Sequence, residues 1–259
     1  TTRLVRGLAG RCLHITLDVI DLLARAMLVA VFCGELGLIL VEIFQREVFN
    51  QSFLWSEEVS QIALLVIAFI GGPIAYRAHS HAAVSFATKA LRPAVKNAVE
   101  AGIDTTILGI SLLVALSSLD LIEVDSLSVL PTTQWNLAIT VVPFVVGMLL
   151  IAIFAVERLV LHHRPAAALH GLLGVGVFTL LVLAVWWVPA LQPGNGLSLL
   201  LMLAAFLVVI LLGLPVAFAL LVGTILYVTL TDVAPMVAVP QTTSNGAGLF
   251  VLLTIPFFI

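Results

Sequence analysis

Few side chains in this sequence are equipped for chemistry, and most of them fall into four groups. Glu35, Glu42 and Arg46 recur at intervals of seven and four residues, which puts them on one face of a helix. Glu42 and Arg46 have the spacing of a helical ion pair. A lone carboxylate in mid-bilayer costs about 2.5–3.5 kcal/mol on insertion scales. Glu35, in the middle of the first apolar run, must therefore be protonated, paired or turned toward a polar groove. Either an ion or proton site or a buried polar contact between helices would satisfy it. The contact is favoured, because no second charge lies at that depth in the next three apolar runs, and Asp104 is the nearest candidate partner. Trp55, Glu57 and Glu58 open the second apolar run, where two acids suit the positive end of a helix dipole and Ser56 could cap it. Interfacial anchoring and partner docking both fit them. Asp120, Glu123 and Asp125 cluster after the third run, as a solvated acidic loop or as a contact surface for a partner with basic patches.

The fourth group is histidine. His79 and His81 follow the second run, His14 precedes the first, and His162, His163 and His170 follow the fourth. None lies inside an apolar run, so a haem or metal reading lacks facing ligands. Cys12 and Cys33 suggest neither a disulfide nor a metal cage. No P-loop, dinucleotide fingerprint or H-E-x-x-H motif occurs, so nothing points to ATP hydrolysis, proteolysis or any other enzyme activity.

The elements that must position these groups are membrane helices. Of 259 residues 62% are hydrophobic and 10% charged, and the mean hydropathy is +1.23. That leaves too few charges for the surface of a soluble domain, and no basic face for nucleic acid. The composition predicts an all-α integral membrane protein. Runs of spanning length fall near 26–44, 59–76, 98–119, 137–156 and 171–190. A longer stretch from Leu197 to about Leu230 is interrupted at Gly213-Leu214-Pro215, where proline breaks or kinks the helix. A last run, Leu249 to Ile259, is too short to cross, so the chain reads as a piece of something longer. Ten of the eleven basic residues agree with a cytoplasmic N-terminus, with cytoplasmic loops at 77–97 and 157–170, and Arg46 alone lies on the other side. From Pro165 onward there is no Lys or Arg, and Asp232 is the only acid. Three segments follow: a four-helix unit over 1–164, a joining helix and turn over 165–196, and a nearly uncharged unit from 197. Val84, Phe86, Ala90, Leu91 and Val95, beside Lys89, Arg92 and Lys96, suggest a basic amphipathic helix on membrane lipids. Arg77, His79 and His81 extend that cytoplasmic-side anchor. Leu13, Leu17, Ile20 and Ala24 form a similar stripe before the first run.

These residues resemble a known family. Arg46…Asn50…Trp55-Ser56-Glu57-Glu58, then Gly71-Gly72-Pro73-Ile74-Ala75-Tyr76-Arg77, then His79…His81…Val84, are similar to the small (Q) permease subunit of tripartite ATP-independent periplasmic (TRAP) transporters. Leu212-Gly213-Leu214-Pro215-Val216-Ala217-Phe218-Ala219-Leu220 and Leu253-Thr254-Ile255-Pro256-Phe257-Phe258-Ile259 resemble the start of the large (M) subunit. One departure is Ser85, which stands where the family usually places an acid.

The resemblance implies a fused permease, with the 171–190 helix correcting the parity between a four-helix Q-type unit and the first helices of an elevator-type unit. It further implies a multi-pass protein of the bacterial inner membrane, in a secondary transporter that imports an organic acid. Sodium would be the coupling ion and a periplasmic substrate-binding protein the partner. Glu35, Glu42, Arg46 and Asp104 would be scaffold contacts. Trp55, Glu57, Glu58, Asp120, Glu123 and Asp125 would be docking surface, and Gly213 and Pro215 a helix break. Substrate sites are expected beyond Ile259, with the remainder of the large unit as a further partner and no cofactor in this segment. A membrane scaffold without transport of its own, and a haem-binding electron carrier, remain as other classes.

Overall fold

The structure, a computed structural model, describes residues 2–78, 93–161, 176 and 195–249. Among the described residues there are seven α-helices: α1 Thr2–Phe49, α2 Ser56–Arg77, α3 Pro93–Asp125, α4 Val142–Leu161, α5 Asn195–Leu212, α6 Val216–Thr231 and α7 Ala238–Ala247. A 3-10 turn over Leu137–Thr140 leads into α4. The first four helices are long and apolar enough to cross a membrane, and the molecule is an all-α integral membrane protein. The 171–190 joining helix, the histidines at 79 and 81, Lys89, Arg92 and the last apolar run lie outside the described residues.

Two compact units can be distinguished, Thr1–Ala78 with Ser118–Leu150 and Pro240–Ile259, and His79–Ser117 with Ile151–Val239. In the first, α1 and α2 form an antiparallel hairpin whose register is fixed by side chains. Arg77 meets Leu17 and Asp18, Gly71 faces Leu28, and Ser60 meets Glu35. The stripe of Leu17 and Ala24, expected to lie on lipid, is buried instead. It belongs to one unbroken helix and lines the face turned to α2. At 48 residues α1 is about 72 Å long, against about 30 Å for the bilayer core. It therefore overhangs α2 at both ends. Asn50 stops it, with a left-handed backbone at φ 52° and its N–H on the Arg46 carbonyl at 3.1 Å. Asparagine tolerates that conformation better than most residues.

Helix α2 crosses α4 through a matched defect. Pro73 has no N–H, so the Phe69 carbonyl lacks its i+4 donor. Gly147 of α4 lies against that carbonyl so closely that a Cβ there would overlap the oxygen. Phe144, one turn earlier, packs edge-on against the Phe69 ring at 4.7 Å between centroids.

In the second unit α5 and α6 form a tight pair. Gly213 has φ 103°. Its N–H bonds Ile210 O at 2.9 Å, and the Leu214 N–H bonds Val209 O at 3.0 Å. This is the paired C-terminal cap that glycine permits, with Leu214 buried beside it. Pro215 then starts α6. The break is thus a capped helix end. Across the pair, Gly223 makes room for Met202 and Phe206.

Candidate functional site

The polar side chains of the first unit gather at its two ends. At the α2 N-terminus, Glu58 is 8% exposed. Its Oε1 accepts from the Thr132 N–H at 2.8 Å. Its Oε2 accepts from the Thr133 N–H at 2.8 Å and the Thr133 hydroxyl at 2.6 Å. These donors form the tip of a small hairpin between α3 and α4. Its sides are tied by Leu130 N–H to Trp135 O at 2.8 Å and Leu137 N–H to Ser128 O at 2.9 Å. Gln134 turns it with φ 58°. Asn136 then caps the 3-10 turn, accepting from the Ala138 N–H at 2.8 Å and donating to Ser126 O at 2.9 Å. Glu58 was read above as docking surface. Its carboxylate is instead turned inward and committed to the hairpin backbone. Glu57 and Trp55 are exposed. Ser56 does not cap α2; its hydroxyl donates to Phe53 O at 2.8 Å, and Trp55 occupies the cap position.

Glu35 lies one turn into α2, opposite Ser60, which hydrogen-bonds its carboxyl. Glu35 is on α1, within the His14–Phe49 span. Its side chain is 5% exposed, and Oε1 has no partner among the described residues. Glu42 is the neighbouring charge along the helix. Among the described residues no ion pair joins Glu42 to Arg46. Arg46 is exposed in the last turn of α1, where it faces the negative helix end and an exposed pair would gain little.

At the other end, Arg77 reaches across to α1. Its Nη2 is 2.7 Å from Asp18 Oδ1 and its Nη1 is 3.6 Å from Asp21 Oδ2, with Nη1 also donating to Leu17 O at 3.2 Å. Arg25 Nε pairs with Asp21 at 2.8 Å and His14 with Asp18 at 3.1 Å, each one helical turn apart. Arg77, expected above to be a cytoplasmic-side anchor, is thus bound to Asp18 and Asp21. Their spacing to His14 and Arg25 was the available signal. In the second unit, the fully buried Asp104 pairs with Arg158 Nε at 3.3 Å. Arg158 had been read only as a topology marker, and Asp104 as a partner for Glu35. Lys96 lies 3.8 Å from Glu100 in an exposed i, i+4 pair. Asp120, Glu123 and Asp125 belong to the last two turns of α3 and not to a loop, with Asp120 and Glu123 exposed.

From Pro240 onward helix α7 belongs to the first unit. The Ser244 hydroxyl donates to Thr140 O at 3.4 Å, and a Cβ at Gly248 would lie 2.9 Å from Gln61 Nε2. Among the described residues no group of three or more His, Cys, Asp or Glu is placed to hold a metal ion. The arrangement is one of paired charges that join helices and fasten a loop.

Comparison with known proteins agrees with this arrangement. A family model described as tripartite ATP-independent periplasmic transporters, DctQ component, matches residues 35–165. A curated relative, the sialic acid TRAP transporter permease protein SiaT of Haemophilus influenzae (strain 86-028NP), is 21% identical over 238 residues, covering 88% of this chain. The chain spans about two fifths of that relative's length, 39%.

Proposed function

The chain belongs to the family of DctQ components of tripartite ATP-independent periplasmic transporters, and we propose from that premise that it is the front of a fused permease. In this reading residues 1–164 are the small unit, 165–196 the joining helix and turn, and 197–259 the start of the large unit. The observation that carries it is the 238-residue match to one permease chain, which is longer than the 35–165 family match and so runs beyond the small unit. The contacts of Ser244 and Gly248 with Thr140 and Gln61 support it, since they join the third segment to the first.

The whole permease imports an organic acid across the bacterial inner membrane. A sodium gradient drives it, and a periplasmic binding protein delivers the substrate. The N-terminus is cytoplasmic, as the basic residues indicate. The substrate class follows the relative, whose name specifies sialic acid, a carboxylate. Within the described segment several charged groups hold the protein together: Glu58 fastens a loop, Arg77 pairs with Asp18 and Arg158 with Asp104. That is the work of a scaffold, and the moving substrate site belongs to the rest of the large unit.

The test is uptake into proteoliposomes holding the complete permease, with sialic acid and a panel of small carboxylates as substrates. Uptake should require an inward sodium gradient and added binding protein. Uptake that proceeds without the binding protein, or that ignores sodium, would overturn the assignment. A protein that binds its partners but transports nothing would favour a pure scaffold.

A further inference from the structure

The hairpin between α3 and α4 satisfies many of its backbone N–H groups from within the protein. Its backbone N–H groups at Leu130, Gln134 and Leu137 go to carbonyls within it, and that of Ala138 goes to the Asn136 side chain. Those of Thr132 and Thr133, at the tip, go to Glu58. Backbone groups in bulk water find partners in the solvent. Groups near the hydrocarbon of a bilayer must be satisfied from within the protein.

Its exposed side chains include the polar Ser126, Ser128, Thr132, Gln134 and Asn136 and three large apolar ones. Leu127 is 88% exposed, Val129 56% and Trp135 48%. Just ahead of α2, at the same end, Leu54 is 79% exposed and Trp55 41%. Apolar surface gathered in this way marks a contact, and the identity of the contact follows from height. Glu58 lies in the first turn of α2, so its hydrogen bonds hold the hairpin tip where the apolar run of that span begins. After Trp135 the chain passes through the 3-10 turn into α4. There the exposed Val142, Val146 and Leu149 continue an apolar surface along the span. The hairpin thus leads within a few residues into a helix of spanning length that carries exposed apolar side chains. Tryptophan and leucine are the residues that a membrane boundary favours.

We propose that the 126–136 hairpin is an interfacial anchor. Leu127, Val129 and Trp135 seat at the boundary between phospholipid headgroups and acyl chains, and Glu58 holds the hairpin at that depth. Its neighbour is lipid and not a partner protein.

Fluorescence depth measurement tests this. In the complete permease, Trp55→Phe, Trp186→Phe and Trp187→Phe, with phenylalanine in place of every tryptophan that follows residue 259, leave Trp135 as the single emitter. The protein is reconstituted in phosphatidylcholine bilayers with bromine at either a shallow or a deep acyl position. Trp135 should lose most of its emission to the shallow bromolipid, less to the deep one, and little to aqueous iodide. Adding Glu58→Ala should shift the emission to the red and open Trp135 to iodide. If iodide quenches Trp135 fully while neither bromolipid does, the hairpin stands in water and the proposal fails. It fails equally if Trp135 is shielded from both quenchers, because a protein surface would then cover it.

Discussion

Gly147→Ala is the smallest change that probes the crossing of α2 and α4. The added Cβ would overlap the Phe69 carbonyl oxygen, with the Phe69 carbonyl carbon at 2.9 Å and its Cβ at 3.1 Å. These are largely backbone atoms of a helix and cannot rotate aside. The helices must separate by about 1 Å to restore ordinary contact distances. Overpacking of this kind costs about 1–3 kcal/mol. Loosening the edge-on contact of Phe69 and Phe144 adds about 0.5–1.5 kcal/mol. The expected loss is about 2–4 kcal/mol, roughly a 30- to 700-fold shift in the unfolding equilibrium. Reversible unfolding in mixed micelles, followed by near-UV circular dichroism, reads it directly. Gly109→Ala is the control, because nothing lies within 4 Å of a Cβ there, and it should be neutral or stabilising. Combining Gly147→Ala with Pro73→Ala should be non-additive by at least about 0.5 kcal/mol, since alanine restores the N–H that draws the Phe69 carbonyl back into its own helix. If Gly147→Ala matches the parent within about 0.5 kcal/mol, the matched-defect account of this crossing is wrong.

Three further changes address other contacts. Asp104→Leu takes from Arg158 the carboxylate at 3.3 Å and should cost about 1–3 kcal/mol, while the double variant with Arg158→Leu should recover part of it; equal losses in both would show that the pair does not act as a unit. Gly213→Ala forces a side chain into a backbone at φ 103° and should cost at least about 1–2 kcal/mol, read as a lowered unfolding midpoint. In a background without Cys12 and Cys33, Leu28→Cys with Gly71→Cys should cross-link readily, whereas Leu28→Cys with Ala75→Cys should not; the reverse preference would mean that the α1–α2 register is shifted by a turn.

Much of the architecture is legible in the sequence because bilayer length and helix rise leave little choice. The runs near 59–76, 98–119 and 137–156 lie within or overlap α2, α3 and the 3-10 turn with α4, and Gly213 and Pro215 bracket a real helix end. Glu35 shows where that reading stops. Its contact with Ser60 depends on the register between α1 and α2, which hydropathy does not set. Leu17 and Ala24 illustrate the same point, because an apolar stripe beside charges suits a lipid surface and a neighbouring helix equally well. Glu58 was singled out for the right reason, an acid at a helix start. Its partners, Thr132 and Thr133, are more than 70 residues away, and nothing local names them. Asp104 and Arg158 were both noted, but their pairing needed the packing of α3 against α4. Asp18 and Asp21 could have been found from their spacing to His14 and Arg25, and attention to basic residues as topology markers hid them.

The order in which these contacts become available during synthesis has a consequence of its own. Arg77 follows Asp18 by 59 residues, so the α1–α2 hairpin can close its ionic end before α3 is translated. Glu58 must wait 74 residues for Thr132, about 4–15 s at ordinary elongation speeds of about 5–20 residues per second. Through that interval the nascent membrane hairpin carries a carboxylate with no counterpart. A ribosome that stalls between residues 78 and 132 therefore leaves an ionically closed but chemically incomplete product. Glu58 thus finds its hydrogen-bond donors only after the third span has been made.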